Sequence, residues 1–260
     1  YFASAFRRRP NDGWFKAGNL SLTTVDLICA AAVLTMFVYG IRFHVSSMLA
    51  IANRRLDQAL ISLTLAASDL GLYVVAVTIE GLPMLITNTM DQLVFPKIAA
   101  QETEQYRVNV LGRYLRATLL LTVPCIAVLI AVAPWLIEFV FGPAFLPVTD
   151  VARLLLLAGI PYAFKSLMSS YLRAGNRMML VSKAETLGIV VTAVGLLALV
   201  PIIGIMGAAI AQLLAFTIPA VFIAYRIRRN LDVDLRALLR FDGSDFEVLR
   251  DALRRNRGEA

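Results

Sequence analysis

The sequence predicts an all-α, polytopic membrane protein, a bundle of about six transmembrane helices. Three observations carry that prediction. First, 59% of the 260 residues are hydrophobic and only 17% are charged, with a mean hydropathy of +0.73. That is far more apolar than an ordinary soluble domain. Second, apolar runs alternate with short polar punctuation, and a hydrocarbon core of about 30 Å needs about 20 helical residues to cross it. The runs lack period-2 alternation and are rich in Ala and Leu, which argues against barrel strands. Third, the basic residues collect in every second connection, the asymmetry that membrane topology imposes.

The opening segment, residues 1–42, combines a basic start with an apolar lead-in. It begins YFASAFRRRP, which lacks an apolar core followed by a cleavage site. Because the first residue is Tyr1 rather than Met, the chain is expected to be a fragment, with YFASAF the tail of an earlier helix. The stretch 25–41, VDLICAAAVLTMFVYGI, meets the next run with no turn residue except Gly40. It is expected to be an interfacial or packed helix bending at Gly40 into the first full span; a separate seventh span is the alternative. Cys29 and Cys125 lie alone inside apolar runs without metal or redox spacing, and read as packing residues.

The six-helix lobe is placed at 43–225, with spans at about 43–66, 71–96, 116–140, 151–172, 182–200 and 205–225. The first holds IANRRLDQALI at 51–61, three charges in a stretch otherwise suited to hydrocarbon. Charges at membrane depth are costly and normally face a bundle interior or a watery cavity. Arg54 and Asp57 are three apart on one helical face and can pair, while Arg55 points elsewhere. In the second span, Glu80 lies roughly 13 Å deep at 1.5 Å per residue, just before Gly81 and Pro83. A carboxylate beside a helix break suits ion coupling; a glutamate satisfied by a neighbouring helix is the plainer alternative. Glu80 and Asp57 are therefore the ion-coupling candidates. Asp91, near the end of the same span, reads as interfacial.

The remaining spans are marked by proline and charge. Pro83, Pro124, Pro161 and Pro219 each fall inside a span, where kinks let helices bend around a cavity. Arg153 is one turn from Asp150 and reads as a snorkelling pair. Lys165 either snorkels or faces a cavity. Pro201 and Gly204 in VPIIGIMGAAIAQ predict a tight turn, and Gly204, Ala208 and Gln212 at four-residue spacing predict close helix contact. Gly188 and Gly195 share one face of their span. After residue 225 the tail, 226–260, is basic; in DFEVLRDALRRN, Phe246, Leu249 and Leu253 share a face suited to the inner leaflet, and disorder is the alternative.

Charge sets the orientation. Connections 67–71, 141–150 and 200–204 hold no Lys or Arg, whereas the alternate ones hold Lys97, Arg107, Arg113 and Arg116, then Arg173, Arg177 and Lys183, then the arginines from Arg226 to Arg257. The opening adds Arg7, Arg8, Arg9, Lys16 and Arg42. Of the 25 basic residues, only Arg54, Arg55, Arg153 and Lys165 fall inside spans. The positive-inside rule makes the basic side, and with it the C-terminus, cytoplasmic. The +7 net charge then reflects topology and anionic lipid, not nucleic acid, for which no recognition motif is present.

From about Phe37 to Tyr225 the chain resembles the C-terminal half of a flippase for lipid-linked oligosaccharides of the O-antigen or exopolysaccharide type. These belong to the multidrug/oligosaccharidyl-lipid/polysaccharide exporter superfamily. The resemblance rests on YGIRFHVSSMLAIANRRLDQALI, GLYVVAV leading to VFPKIAA, FVFGPAF, and YLRAGNRMMLVSK followed by VPIIGIMGAAIAQ. It implies one lobe of a two-lobed alternating-access transporter in the bacterial cytoplasmic membrane, partnered by a missing N-terminal lobe and by membrane lipids. The implied substrate is a polyprenyl-pyrophosphate-linked, anionic glycan on its way to polysaccharide or lipopolysaccharide. The family's cavity is cationic, and Arg54, Arg55 and Lys165 match that role by type and depth; an arginine fork can hold phosphate oxygens bidentately. Neither residues nor resemblance implies a cofactor, and no enzymatic activity is expected.

Three alternatives remain, one of them a non-transporting assembly subunit. A multidrug exporter of the same fold would favour carboxylates and aromatics for cationic cargo. A membrane-embedded transferase would need clustered Asp, Glu or His. The one histidine, His44, sits at a helix start; the DVD at 232–234 lies in a basic tail; and the glycosylation pattern at Asn19 falls on the expected cytoplasmic side. None supports catalysis.

Overall fold

The computed structural model describes residues 22–64 and 66–231, and the regular structure among them is helical throughout. Five α-helices follow in order: α1 (Leu22–Thr64), α2 (Ala67–Ala99), α3 (Glu104–Phe141), α4 (Thr149–Ala174) and α5 (Met178–Leu231), with a 3-10 helix at Pro143–Val148 between α3 and α4. The chain divides into two compact units, Tyr1–Arg42 and Phe43–Ala260. The described part of the first unit is helical and turns Leu27, Val33, Leu34, Met36 and Phe37 outward. The helix assignment of α1 includes Gly40. The amphipathic tail expected at 246–253 lies outside the described residues.

Among the described residues, four helical stretches are long and apolar enough to cross a membrane: Ala67–Ala99, Glu104–Phe141, Pro143–Ala174 and Met178–Arg229. The last is broken near its middle. Within α5, Ile203 and Gly204 leave helical geometry, and Gly204 takes φ +59°, a left-handed conformation that only glycine adopts cheaply. The sequence-predicted turn is therefore present at Gly204, with Pro201 still helical before it. The predicted span at 43–66 is not among the four, which accords with Arg54, Arg55 and Asp57 lowering its apolarity. Pro83, Pro124, Pro161 and Pro219 all lie inside helices rather than at their ends.

α4 is the hub of the second unit, packing against α2, α3 and α5, and most of its residues are buried. Two apolar clusters flank its middle. One joins Met90, Val94, Leu111, Leu115, Leu167, Leu172, Val181 and Ile223; the other joins Ile61, Tyr73, Ile79, Ile126, Ile137, Leu155, Leu196 and Ala208. Ala158, Tyr162 and Phe216 form a small cluster of their own. The faces turned outward carry Val128, Val132, Trp135 and Phe139 on α3 and Val190, Val194, Leu197 and Val221 on α5. In a bilayer these meet acyl chains rather than water.

Helix contact in the α5 hairpin is closer than the sequence pattern located it. A Cβ on Gly207 would lie 2.6 Å from the backbone carbonyl of Leu199, and one on Gly195 would lie 2.8 Å from the Ala211 methyl. Gly204 faces open space. Small residues thus set the approach of the two arms, but at Gly195 and Gly207, not at Gly204. The turn between α4 and α5 is closed by Asn176 at φ +56°, with the Arg177 N–H donating to Leu172 O at 2.8 Å and the Asn176 N–H to Arg173 O at 3.1 Å. This is the usual glycine-or-asparagine ending of a helix.

Candidate functional site

One face of α2 supplies two cavities in succession. Val74, Thr78, Gly81, Met84, Asn88 and Asp91 recur at steps of three or four, with Val77 beside Thr78, so they line up along the helix. The first cavity, about 400 Å³, is lined by residues 74–84 of that face together with Ile51, Gln58, Glu80, Gln212 and Phe216. The second, about 300 Å³, takes Asn88 and Asp91 from α2 and Ser47 and Ile51 from α1. To these α4 adds Tyr162, Lys165, Ser166, Ser169 and Arg173, and α5 adds Glu185. The α4 set also repeats at three- and four-residue steps, a polar stripe on an otherwise apolar helix.

In the first cavity Glu80 is 1% exposed. Gln212 Nε2 donates to both of its carboxylate oxygens at 2.9 Å, and Gln212 Oε1 accepts from the Tyr73 hydroxyl at 2.8 Å. A buried carboxylate in such a setting needs donors to offset its lost hydration, and the amide–phenol relay from α5 supplies part of them. The sequence placed Gln212 at a helix contact, and there it sits, buried; that it reaches Glu80 across the bundle was not foreseen.

In the second cavity Lys165 and Glu185 are both buried, and the ammonium lies 2.9 Å from each carboxylate oxygen. Lys165 Nζ also sits 5.5 Å from the Phe216 ring centroid and 6.0 Å from that of Tyr162, so aromatic faces help to solvate the charge. The Tyr162 hydroxyl donates to Asn88 Oδ1 at 2.9 Å. At the far end of the stripe, Arg173 donates to Asp91 at 3.1 Å and to Ser170 at 2.7 Å, while Ser170 donates to Asp91. Beyond it Glu104 accepts from the Tyr171 hydroxyl and lies 3.6 Å from Arg107 and 3.7 Å from Arg177. These contacts tie α2, α3, α4 and the Gly175–Asn176 turn together at the basic end of the bundle.

The structure therefore puts two of the sequence-predicted residues, Glu80 and Lys165, into neighbouring cavities that share Ile51 and the α2 face. Arg54, Arg55 and Asp57 lie on the α1 backbone between Ile51 and Gln58, and their side chains fall outside the described residues. Arg153 pairs with Asp150 at 3.2 Å, half-exposed, and also donates to Ile130 O at 3.3 Å, as the snorkelling reading expects. Glu185, Asn88 and the Asp91–Arg173 pair were missed as cavity groups. The signal that could have found them is the α4 polar stripe, since a repeat of Tyr162, Lys165, Ser166, Ser169 and Arg173 marks a wet face.

Comparison with known proteins agrees with this architecture. The family model described as "Polysaccharide biosynthesis protein" matches residues 27–150. The chain is 26% identical over 196 residues to the "Probable low-salt glycan biosynthesis flippase Agl15" of Haloferax volcanii, covering 74% of this chain and 41% of that protein. Its fold is similar to a solved multidrug resistance MATE family transporter of the MOP superfamily in its outward-facing conformation. That match has a TM-score of 0.59 and 20% identity, over 80% of this chain and 48% of the other. The chain thus spans less than half the length of each. The family match covers just under half of the chain, and together the comparisons make it similar in sequence to a polysaccharide-biosynthesis family and a glycan flippase, and in its all-helical fold to a transporter.

Proposed function

We propose that this chain is one lobe of a non-enzymatic transporter that moves a polyprenyl-pyrophosphate-linked oligosaccharide across the cytoplasmic membrane by alternating access. A second lobe, outside this sequence, completes the cavity. The observation that carries the reading is the pair of neighbouring cavities along α2, which leads from buried Glu80 to the Lys165–Glu185 pair inside a bundle built for lipid. Ionisable groups at that depth are retained for transport pathways far more readily than for stability. The flippase relative and the polysaccharide family match support a glycan cargo.

Roles follow from chemistry. Arg54 and Arg55 hold the anionic pyrophosphate, and Lys165, paired with Glu185, lines the path of the glycan attached to it. Glu80, held by the Gln212 amide, exchanges a proton or sodium ion, and Asp57 tunes the arginines beside it. The basic turns and the C-terminus face the cytoplasm. A multidrug exporter is the second reading, favoured by the MATE fold neighbour; the role proposed here for Arg54 and Arg55 suits anionic rather than cationic cargo.

The test is export of a labelled lipid-linked oligosaccharide by the full-length protein in vesicles. Arg54→Ala and Arg55→Ala each abolish flipping while insertion and monodispersity stay normal, and Lys restores it poorly. If both alanine variants flip the lipid at the wild-type rate, or if a cationic drug is carried and the glycolipid is not, the flippase reading fails.

A further inference from the structure

We propose that the cavity beside Lys165 is a subsite for an uncharged, polyhydroxylated group, a sugar ring, rather than for a phosphate. The proposal rests on the lipid-linked glycan reading above and divides that substrate between the two cavities.

Charge is the first argument. Among the described residues lining the cavity are two cations, Lys165 and Arg173, and two carboxylates, Asp91 and Glu185. Each cation already has its carboxylate, Lys165 on Glu185 at 2.9 Å and Arg173 on Asp91 at 3.1 Å. An incoming phosphate would meet both carboxylates and would have to take Lys165 from Glu185, which is buried. Removing one member of a buried pair is strongly unfavourable. A neutral group incurs no such penalty.

The hydrogen-bonding pattern is the second. A fully ionised phosphate only accepts, yet this lining is rich in acceptors that need a donor opposite. Ser166 hydrogen-bonds Asp91 and Ser169 donates to Lys165 O, which leaves acceptor lone pairs on both hydroxyls. Donors are present too. Asn88 Oδ1 is taken by Tyr162, and the Asn88 N–H groups have no acceptor among the described residues. Sugar hydroxyls donate and accept from adjacent carbons, so they can use both sets at once. The volume of about 300 Å³ is at the small end of ligand sites, suited to a ring rather than an extended chain.

The experiment compares two lipids bound by the full-length protein in nanodiscs: polyprenyl pyrophosphate carrying a single hexose, and the same lipid without sugar. The wild type binds the sugar-bearing lipid about tenfold more tightly, the advantage of roughly one or two well-placed hydrogen bonds. Asn88→Leu and Ser169→Ala, each inserted and monodisperse, lose most of that preference and leave the affinity for bare polyprenyl pyrophosphate unchanged. If the wild type shows no preference, or the variants weaken both lipids equally, the subsite is overturned while the flippase reading survives. If the wild type binds neither lipid, the flippase reading itself falls and takes the subsite with it.

Discussion

The two cavities along α2 bury a carboxylate by different means. Glu80 is met by the neutral amide of Gln212, which is itself anchored by Tyr73, whereas Glu185 is met by the Lys165 ammonium. An amide donor stabilises a carboxylate without fixing its charge, so the group can exchange a cation and stay hydrogen-bonded. An ammonium pairs with the carboxylate directly, and the two opposite charges offset each other. Two neighbouring cavities along α2 thus place a group suited to ion exchange next to a pair, from α4 and α5, suited to holding shape and polarity. The difference is the basis for assigning coupling to the first cavity and sugar contact to the second.

Substitutions can break that contrast, beginning where the largest effect is expected. Lys165→Met strips the ammonium from a buried carboxylate and should destabilise the protein by about 3–5 kcal/mol, whereas Lys165→Met with Glu185→Met should recover most of the loss. Unfolding in mixed micelles measures both; a single variant as stable as the double would mean that the pair is not locked. Gln212→Leu removes a neutral donor from Glu80 and the acceptor used by Tyr73, and should cost about 1–3 kcal/mol. A cost equal to that of Lys165→Met would erase the distinction between the cavities. Arg153→Ala is the small effect: its partner Asp150 is mostly exposed, and such pairs contribute about 1 kcal/mol or less. Flipping by that variant should remain near wild type.

The fold was legible because hydropathy and charge asymmetry are properties of whole segments. The all-helical bundle, the order of its apolar helices and the break at Gly204 follow from runs of residues and from backbone conformation, which local sequence states directly. Helix lengths were less so: α3 starts at Glu104 rather than near residue 116, because its polar first turns are helical outside the apolar run. Of the site, Glu80 and Lys165 announced themselves as single charges in apolar surroundings. Their partners did not. Gln212 carries no charge and looked like packing. Glu185 lies two residues after Lys183 of the basic turn and stands twenty residues from Lys165 astride the Gly175–Asn176 turn. Two helices joined by so short a turn run antiparallel, so positions on either side of it come level; that pairing is visible only once α4 and α5 are folded back on each other.

Glu80→Gln tests the central claim most directly, because it keeps the shape and much of the hydrogen bonding of the side chain while removing its charge. The measurement is flipping of a labelled lipid-linked oligosaccharide by the full-length protein in vesicles, with proton and sodium gradients imposed separately. With Glu80 as the coupling group, the variant inserts normally, and its flipping no longer responds to the gradient that drives the wild type. A variant that flips at the wild-type rate with the same response to both gradients would make Glu80 a packing partner of Gln212 and contradict the account.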